Sequence, residues 1–227
     1  MTPDLLSNLP SRIHMILEEG AKEGASRIAF TDEDGAEWSY RRLIDTVADV
    51  AGKMAELGVR PGDRVMVVCE NSIAAIVLMY AASRLDAWSV MTSARLSSRE
   101  IDLIKEDSSP RCVFYTHTIS SEADAHARRH GATLEVFDEI GRVKVGSLDA
   151  GTMAESVESD PAKQVATLIY TTGTTGRPKG VMLTHGNIAS NVGAAATVLP
   201  VAPDDSCLSL LPLSHIFERM TGHYSMI

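Results

Sequence analysis

The sequence is poor in several features that mark particular classes of protein. It has three cysteines, Cys69, Cys112 and Cys207, which are far apart and form no CxxC pair. An odd, scattered set of cysteines does not build a disulfide framework and is typical of proteins in a reducing compartment. We therefore expect a cytoplasmic protein in which Cys69 and Cys207 are small buried hydrophobic residues.

Long apolar runs and an N-terminal targeting signal are also missing. The longest apolar stretch, Ile73 to Ala82, falls well short of the roughly twenty residues that span a bilayer. The first residues, Met1 to Leu6, lack the basic region and apolar core of a secretory signal. The sequence therefore predicts no transmembrane segment.

Positive charge is scarce as well. The 227 residues include 21 Lys and Arg against 30 Asp and Glu, for a formal net charge of −9. This balance argues against nucleic acid as a partner, because a phosphate backbone requires a basic face. An anionic small molecule would have to be held by a local cationic group or a divalent cation. The remaining composition, 44% hydrophobic and 22% charged, is that of an ordinary globular protein with a substantial core.

The segment from Tyr170 to Val181 is the most informative part of the chain. It follows the apolar run Val165 to Ile169, which predicts a buried strand. Glycines allow the backbone to approach a ligand, while hydroxyls, free N–H groups and an ammonium attract oxygen anions. The segment therefore predicts a loop that binds polyphosphate, with ATP as the favoured ligand. Its candidate residues are Thr171, Thr172, Gly173, Thr174, Thr175, Gly176 and Lys179.

Two other interpretations of this loop are weaker. In a Walker A loop counted back from Lys179, Gly173 would be the first glycine. However, Pro178 stands where that motif needs its second glycine, and Gly180 replaces its hydroxyl residue. A flexible surface turn is the other alternative, but such turns rarely combine this density of hydroxyls with a lysine.

A second motif supports a family resemblance. Residues 211–218 read Leu-Pro-Leu-Ser-His-Ile-Phe-Glu, with His215 at the fifth position, and weaker similarities lie at 38–43 and 57–65. Together with the threonine-rich loop, these segments resemble the adenylate-forming superfamily. That superfamily contains acyl-CoA synthetases, aryl-CoA ligases, luciferases and peptide-synthetase adenylation domains. The motifs occur in the family's order over nearly the whole chain.

The resemblance implies a two-step reaction that uses ATP, Mg²⁺ and coenzyme A. A carboxylate attacks the α-phosphorus of ATP to give acyl-adenylate and pyrophosphate, and a thiol then displaces AMP. By the same resemblance the loop wraps the β- and γ-phosphates, Lys179 counters charge on the pyrophosphate, and Thr171 lies near Mg²⁺. His215 matches the histidine beside the acyl carboxylate. The motif around His215 is most similar to fatty acyl-CoA ligases, and a peptide-synthetase adenylation domain is the alternative enzyme.

The order of strands and helices predicts an α/β fold. Apolar strands alternate with helices of about ten residues, which indicates βαβ units and largely parallel sheets flanked by helices. The resemblance makes this part of the large N-terminal domain of an adenylate-forming enzyme. Residues 1–140 would form a first α/β portion, 141–163 a loop-rich connector, and 164–227 the phosphate-loop portion. The connector either separates two sheets or lies within one fold, and a further strand is expected at Cys207 to Leu210.

Several polar residues are assigned structural roles. Thr184 is expected to cap a helix that His185 supports. His126 and His130 are four apart on a predicted helix without the glutamate of a metalloprotease motif, so we expect a solvated helix face there rather than a metal site. Glu218 and Arg219 are expected to form an ion pair at the start of a helix.

Residues 1–227 are expected to be an incomplete N-terminal AMP-binding domain. The family's later motifs are not identifiable: the acidic residue that shares Mg²⁺, the aspartate that holds the ribose, and the lysine of the C-terminal domain. We therefore expect this fragment to lack the C-terminal domain and to be inactive in isolation. The non-enzymatic alternative is a truncated ligase that binds nucleotide weakly or serves as a partner-binding module.

Overall fold

Strands and helices alternate along the chain, as the sequence predicts. The computed structural model describes residues 10–171, 177–198, 201–202 and 204–226. The elements in chain order are α1 (Met15–Lys22), β1 (Ile28–Thr31), β2 (Glu37–Ser39), α2 (Tyr40–Glu56), β3 (Arg64–Cys69), α3 (Ile73–Arg84), β4 (Trp88–Ser93), α4 (Ser98–Ser108), β5 (Cys112–Tyr115), α5 (Ser121–Arg129), β6 (Leu134–Val136), a 3₁₀ turn (Asp138–Ile140), β7 (Val143–Val145), β8 (Val165–Thr171), β9 (Lys179–Thr184), α6 (His185–Val198) and a π-helix (Glu218–Tyr224).

One seven-stranded sheet organises these elements, in the order β6-β7-β5-β3-β4-β8-β9. The four inner strands β5, β3, β4 and β8 are parallel, whereas β6, β7 and β9 join antiparallel at the two edges. The predicted α/β class with a largely parallel sheet is confirmed. Strands from both sides of the connector 141–163 belong to this sheet, and β7 lies inside the connector. The connector therefore lies within one sheet and does not separate two.

Helices cover both faces of the sheet. Successive side chains of a strand point to opposite faces, so Val65 and Val67 of β3 pack with α1, α2, α3 and α6, whereas Met66 and Val68 pack with α4 and α5. We call these the α3 face and the α4 face. Burial on both faces explains why β3 reads as a continuous apolar run rather than an alternating one.

Serine caps fix the starts of the helices between the strands. Ser39, Ser72, Ser97 and Ser120 each accept a hydrogen bond from a backbone N–H three residues ahead. At Ser97 the predicted capping box is present, because the Glu100 carboxylate accepts in return from the Ser97 backbone N–H at 2.8 Å. Each cap satisfies an orphan donor and sets the point at which the chain turns back over the sheet.

The strand predicted at Cys207 to Leu210 is wrong. This segment is irregular, and the Leu208 and Leu210 side chains are 84% and 77% exposed. A strand requires a neighbouring ladder, but the Asn71 side chain contacts this segment only at the Ser209 hydroxyl and bonds to the Leu211 carbonyl oxygen just after it. Cys207 is exposed, contrary to expectation, whereas Cys69 is buried and its burial raises the pKa of the thiol to about 12.

The solvated face predicted for His126 and His130 is also wrong. His126 is buried and its Nε2 lies 3.1 Å from the Ala94 carbonyl oxygen. His130 lies between the Tyr115 hydroxyl, at 2.5 Å, and the Asp102 carboxylate, at 2.9 Å. Both histidines face inward because α5 packs on the sheet through that side: His126 joins α5 to the segment after β4, and His130 joins it to β5 and α4.

Candidate functional site

The phosphate-binding loop predicted from the sequence connects the two strands of a hairpin at the edge of the sheet. Thr171 ends β8, Lys179 begins β9, and the two residues are directly opposite each other in the ladder. Directly opposed residues of an antiparallel pair point to the same face. The Thr171 hydroxyl and the Lys179 ammonium therefore share one face, and both residues are exposed. The other five candidate loop residues, Thr172, Gly173, Thr174, Thr175 and Gly176, lie outside the described residues.

The shared face is the α3 face. Thr167 of β8 is completely buried there, and its hydroxyl oxygen accepts a hydrogen bond from Arg219 Nη1 at 3.0 Å. Because side chains alternate along a strand, Thr171 points to the same side as Thr167. Lys179 follows by register. Arg219 thus brings the segment that also carries His215 against the face of β8 to which Thr171 and Lys179 point.

The hairpin is braced from the opposite face by Tyr170. Tyr170 is paired with Gly180 in the ladder, and its hydroxyl donates to the Asp107 carboxylate on α4 at 2.6 Å. A Cβ atom at position 180 would lie 3.1 Å from the Tyr170 ring, closer than ordinary van der Waals contact. The glycine after Lys179 therefore has a packing reason: it admits the ring that ties the hairpin to α4. Burial and Asp107 together raise the pKa of the Tyr170 hydroxyl, so this donor stays protonated.

His215 lies on a short turn held at the carboxyl end of β3. The Asn71 Oδ1 atom accepts from the Leu213 N–H at 2.8 Å, and Asn71 Nδ2 donates to the Leu211 carbonyl oxygen at 2.7 Å. The His215 N–H then donates to the Pro212 carbonyl oxygen at 2.9 Å. The His215 side chain is exposed. It is therefore available to a ligand, and the turn that carries it is fixed to the sheet.

The predicted Glu218–Arg219 ion pair does not form: no salt bridge joins the two side chains in the part of the chain that the structure describes. Both residues are buried in the first turn of the π-helix, and burial lowers the pKa of the Arg219 guanidinium. Adjacent helical residues do not face each other, which explains why the pair fails. Arg219 instead reaches β8. π-helical turns often occur at functional sites.

The helix that follows the hairpin begins as predicted. The Thr184 hydroxyl accepts from the Asn187 N–H at 3.0 Å, which confirms the cap. His185 is buried and its Nδ1 accepts from the Ile13 N–H at 3.1 Å. Burial lowers the pKa of His185 to about 3, so the ring is neutral and able to accept. His185 thus supports the helix, as expected, and also joins it to the N-terminal segment.

A separate cleft of about 410 Å³ lies beside β5 on the α4 face, away from the loop. Its lining includes Asp102, Tyr115 and His130. Arg129 pairs with Asp102 through two contacts of 2.8 Å and lowers the pKa of that carboxyl to about 2. The network joins α4, α5 and β5, and the described candidate residues Thr171, Lys179 and His215 do not line the cleft. No group of three or more His, Cys, Asp or Glu side chains suited to a metal occurs among the described residues.

Sequence reasoning missed three residues of the site. Asn71 lies two residues after the buried parallel strand β3, and polar residues near the carboxyl end of such a strand lie where ligands of α/β proteins bind, so a signal was present. Tyr170 precedes the loop, but nothing in the sequence indicates that its ring crosses to Gly180. Asp107 gives no sequence signal, since it is one of several acidic residues on α4.

A comparison with known families identifies the class of protein to which the chain belongs. The family described as AMP-binding enzyme matches residues 17–227, which places the fold and its loop in an adenylate-forming domain. The chain belongs to this family. The relatives of the chain therefore bear on the role of its candidate site residues.

The relatives are CoA ligases. The chain is 32% identical to the long-chain-fatty-acid–CoA ligase FadD13 of Mycobacterium tuberculosis, over 81% of this chain and 36% of that protein. It is 33% identical to a feruloyl-CoA synthase of an Amycolatopsis species, over 80% of this chain and 35% of that protein. The chain thus spans little more than a third of the length of these two relatives.

Solved structures give the same result for the fold. MatB from Rhodopseudomonas palustris, determined both without ligand and bound to ATP, superimposes with a TM-score of 0.74 at 27% identity. The match covers 95% of this chain and 43% of MatB. The fold is that of the N-terminal part of an adenylate-forming enzyme, as predicted. No helix in the described parts of the chain is both long enough and apolar enough to cross a membrane.

Proposed function

We propose that the protein of which this sequence is part activates a carboxylic acid, with ATP, to an acyl-adenylate and then transfers the acyl group to coenzyme A. The observation that carries this proposal is that Thr171 and Lys179 share one face of the β8–β9 hairpin, and that Arg219, in the segment that also contains His215, bonds to β8 on that face. The nucleotide and the carboxylate that react in the first step would have to bind side by side, and this face of β8 could receive both. The CoA-ligase relatives support the same reaction.

The first half-reaction brings two anions together, so it requires neutralised charge and alignment more than covalent help. In this proposal residues 171–176 hold the β- and γ-phosphates of ATP through hydroxyl and backbone N–H groups. Lys179 compensates the charge on the departing pyrophosphate. Its exposure and its position opposite Thr171 suit this role.

The Thr171 hydroxyl fits a magnesium–nucleotide complex as one oxygen ligand. Mg²⁺ usually takes only one or two protein ligands and the rest from phosphates and water, so a single hydroxyl at the loop start is compatible with it. The ion would supply additional charge neutralisation at the phosphates. We propose that His215 orients the substrate carboxylate, because its ring is exposed on a turn that the sheet fixes.

We propose a fatty acid as substrate and the cytoplasm as location. The motif Ser-His-Ile-Phe-Glu-Arg around His215 and the similarity to FadD13 support a fatty acid. The relatives also include an oxalate–CoA ligase of Arabidopsis thaliana and 2-succinylbenzoate–CoA ligases, so other acids belong in any test. A peptide-synthetase adenylation domain is the alternative enzyme, and an amino-acid substrate would favour it.

A second candidate function is a non-catalytic module that binds nucleotide weakly or binds a partner. Exposed apolar side chains favour it, among them Met182 on β9 at 59%, and Leu208 at 84% and Leu210 at 77% in the irregular segment that follows α6. In this alternative the 227 residues act without the remainder of a ligase. We expect these residues, expressed alone, to bind ATP weakly and to form no acyl-adenylate.

Pyrophosphate exchange with a panel of fatty, aromatic and dicarboxylic acids tests the proposal on the protein made from its complete reading frame. Lys179→Ala should slow adenylation by about 100-fold, the loss typical for one charge-stabilising group, and should weaken ATP binding less. Lys163→Ala is the matched control, since Lys163 is an exposed lysine with only a 4.0 Å ion pair to Asp160.

Two results would contradict the assignment. Absence of exchange with every acid would remove the ligase function and favour the non-catalytic module. Equal losses in adenylation and in thioester formation from preformed acyl-adenylate would show that Lys179 does not act on the pyrophosphate.

A further inference from the structure

We infer that Asn71 is a positioning residue for His215: its side-chain amide fixes the turn that carries the histidine at the carboxyl end of the sheet. This inference rests on the proposed function, because it concerns the role of His215 in that reaction. Asn71 is far from His215 in the sequence and belongs to none of the motifs that indicated the family. Its link to His215 is found only through its contacts.

The amide of Asn71 engages the turn on both sides of Pro212. Its Oδ1 atom accepts from the Leu213 N–H at 2.8 Å, and its Nδ2 atom donates to the Leu211 carbonyl oxygen at 2.7 Å. Nδ2 also lies 3.2 Å from the Ser209 hydroxyl oxygen. One side chain thus binds the donor and the acceptor that flank a proline, in the way that a neighbouring strand would. This explains why the segment is ordered without being a strand.

Asn71 is itself rigidly placed. It lies between Cys69, the last residue of β3, and Ser72, which caps α3 through the Ala75 N–H at 3.3 Å. The buried strand on one side and the capped helix on the other leave its backbone little freedom. Asn71 therefore fixes the turn that carries His215 relative to the central sheet, and not relative to a mobile loop.

The far end of the same segment is held independently. Arg219 is completely buried and donates to the Thr167 hydroxyl oxygen at 3.0 Å in β8. His215 lies between this anchor and the one at Leu213. Its ring is exposed while its backbone is fixed at both ends, and this is the arrangement a ligand-orienting side chain requires. Removal of Asn71 frees the leading end and leaves the buried trailing end intact.

Only an amide satisfies both partners at once. A carboxylate keeps the acceptor for Leu213 but turns an acceptor toward the Leu211 carbonyl oxygen, and alanine satisfies neither. Asn71→Asp should therefore be more harmful than the small change in shape suggests. Asn191, an exposed asparagine on α6, provides the matched control.

A double-mutant cycle on the complete protein tests the inference. Asn71→Ala should lower kcat for adenylation about tenfold, since small misplacements of a catalytic group have effects of this order or larger, and should leave the KM for ATP unchanged. In a His215→Ala background the same substitution should change kcat less than twofold, because its effect passes through the histidine. Asn191→Ala should change nothing.

The possible outcomes distinguish failure of the positioning role of Asn71 from failure of the proposed function. A full tenfold loss in the His215→Ala background, or a raised KM for ATP with normal kcat, would overturn the positioning role. Wild-type protein that forms no acyl-adenylate would instead defeat the proposed function. In that case the amide hydrogen exchange of Leu213 still tests the anchor, because Asn71→Ala should accelerate it and unchanged exchange would overturn it.

Discussion

The centre of the sheet and its β8–β9 edge differ in how deeply their strands are buried. All six residues of β3 are buried, whereas the first four residues of β9, from Lys179 to Met182, are exposed. Both strands read as apolar in the sequence. The apolar residues of β3 are explained by the helices that pack on both of its faces. The apolar residues of β9 are only partly covered by the other residues that the structure describes.

The difference shows at which positions the packing constrains the residue and at which positions the geometry of the candidate site does. In the centre a residue is constrained by the volume around it, so substitutions act on stability. At the edge, Lys179 and Gly180 are constrained by the ladder register and by the Tyr170 ring. Substitutions there should act on the site and cost little stability, and paired substitutions can test this contrast.

The largest effect is expected from a pair of truncations, one at a side chain buried against the sheet and one at an exposed side chain outside it. Leu78→Ala on α3 removes a completely buried side chain and should lower the free energy of unfolding by about 2–5 kcal/mol. Leu208→Ala, at a side chain that is 84% exposed, should change it by less than about 0.5 kcal/mol. Urea denaturation of both variants measures the contrast, and similar losses at the two positions would show that Leu208 is covered in solution.

The next effect concerns pH, because the helix that follows β9 begins with one buried neutral histidine and the π-helix contains another. Burial lowers the pKa of His185 and of His223 to about 3. The unfolded chain takes up a proton at each histidine below its ordinary pKa of 6.5, and the folded chain does not. Stability should therefore fall as the pH drops from 6.5 toward 3, by about 2 kcal/mol per histidine at pH 5.

Thermal denaturation between pH 7 and pH 5 checks this slope. His185→Asn is the informative variant, since an amide oxygen can still accept from the Ile13 N–H but does not titrate. It should flatten the pH dependence by about one proton. If the slope of the variant equals that of the wild type, His185 is not buried in its neutral form.

The smallest expected effect lies at the hairpin itself. Gly180→Ala places a Cβ atom 3.1 Å from a Tyr170 ring that Asp107 holds, and should destabilise by about 1 kcal/mol. Gly52→Ala is the control, because Gly52 is exposed on α2 with nothing within 4 Å of the added atom. It should stabilise by about 0.5–1 kcal/mol. Calorimetry measures both, and Tyr170→Ala should remove most of the Gly180→Ala penalty.

Much of the fold followed from local patterns. The starts of α2 and α4 could be predicted because Ser39 and Ser97 cap by short-range hydrogen bonds that the sequence spells out. The inner strands β3 and β5 could be predicted because continuous apolar runs suit parallel strands buried on both faces. These are cases in which the neighbours along the chain determine the structure.

The failures have the opposite cause. The run Cys207 to Leu210 has the apolar character of a strand, but Asn71, far away in the sequence, holds the Ser209 hydroxyl and the Leu211 carbonyl oxygen in place of a neighbouring strand. β9 was not predicted because the glycine and proline before it indicate a loop, although Val181 and Met182 extend the ladder with β8. For the site, the motif identified Lys179 and His215, while the contacts that fix them are long-range and carry no local signal.

The Thr171–Lys179 register makes the site sensitive to the length of β9. Because strand side chains alternate, a deletion of one residue within β9 would send the lysine to the α4 face, whereas a change of length inside the loop would leave its direction intact. Sequences that keep this chemistry should therefore vary in loop length more freely than in strand length. The ladder, and not the loop, sets on which side of the sheet the positive charge stands.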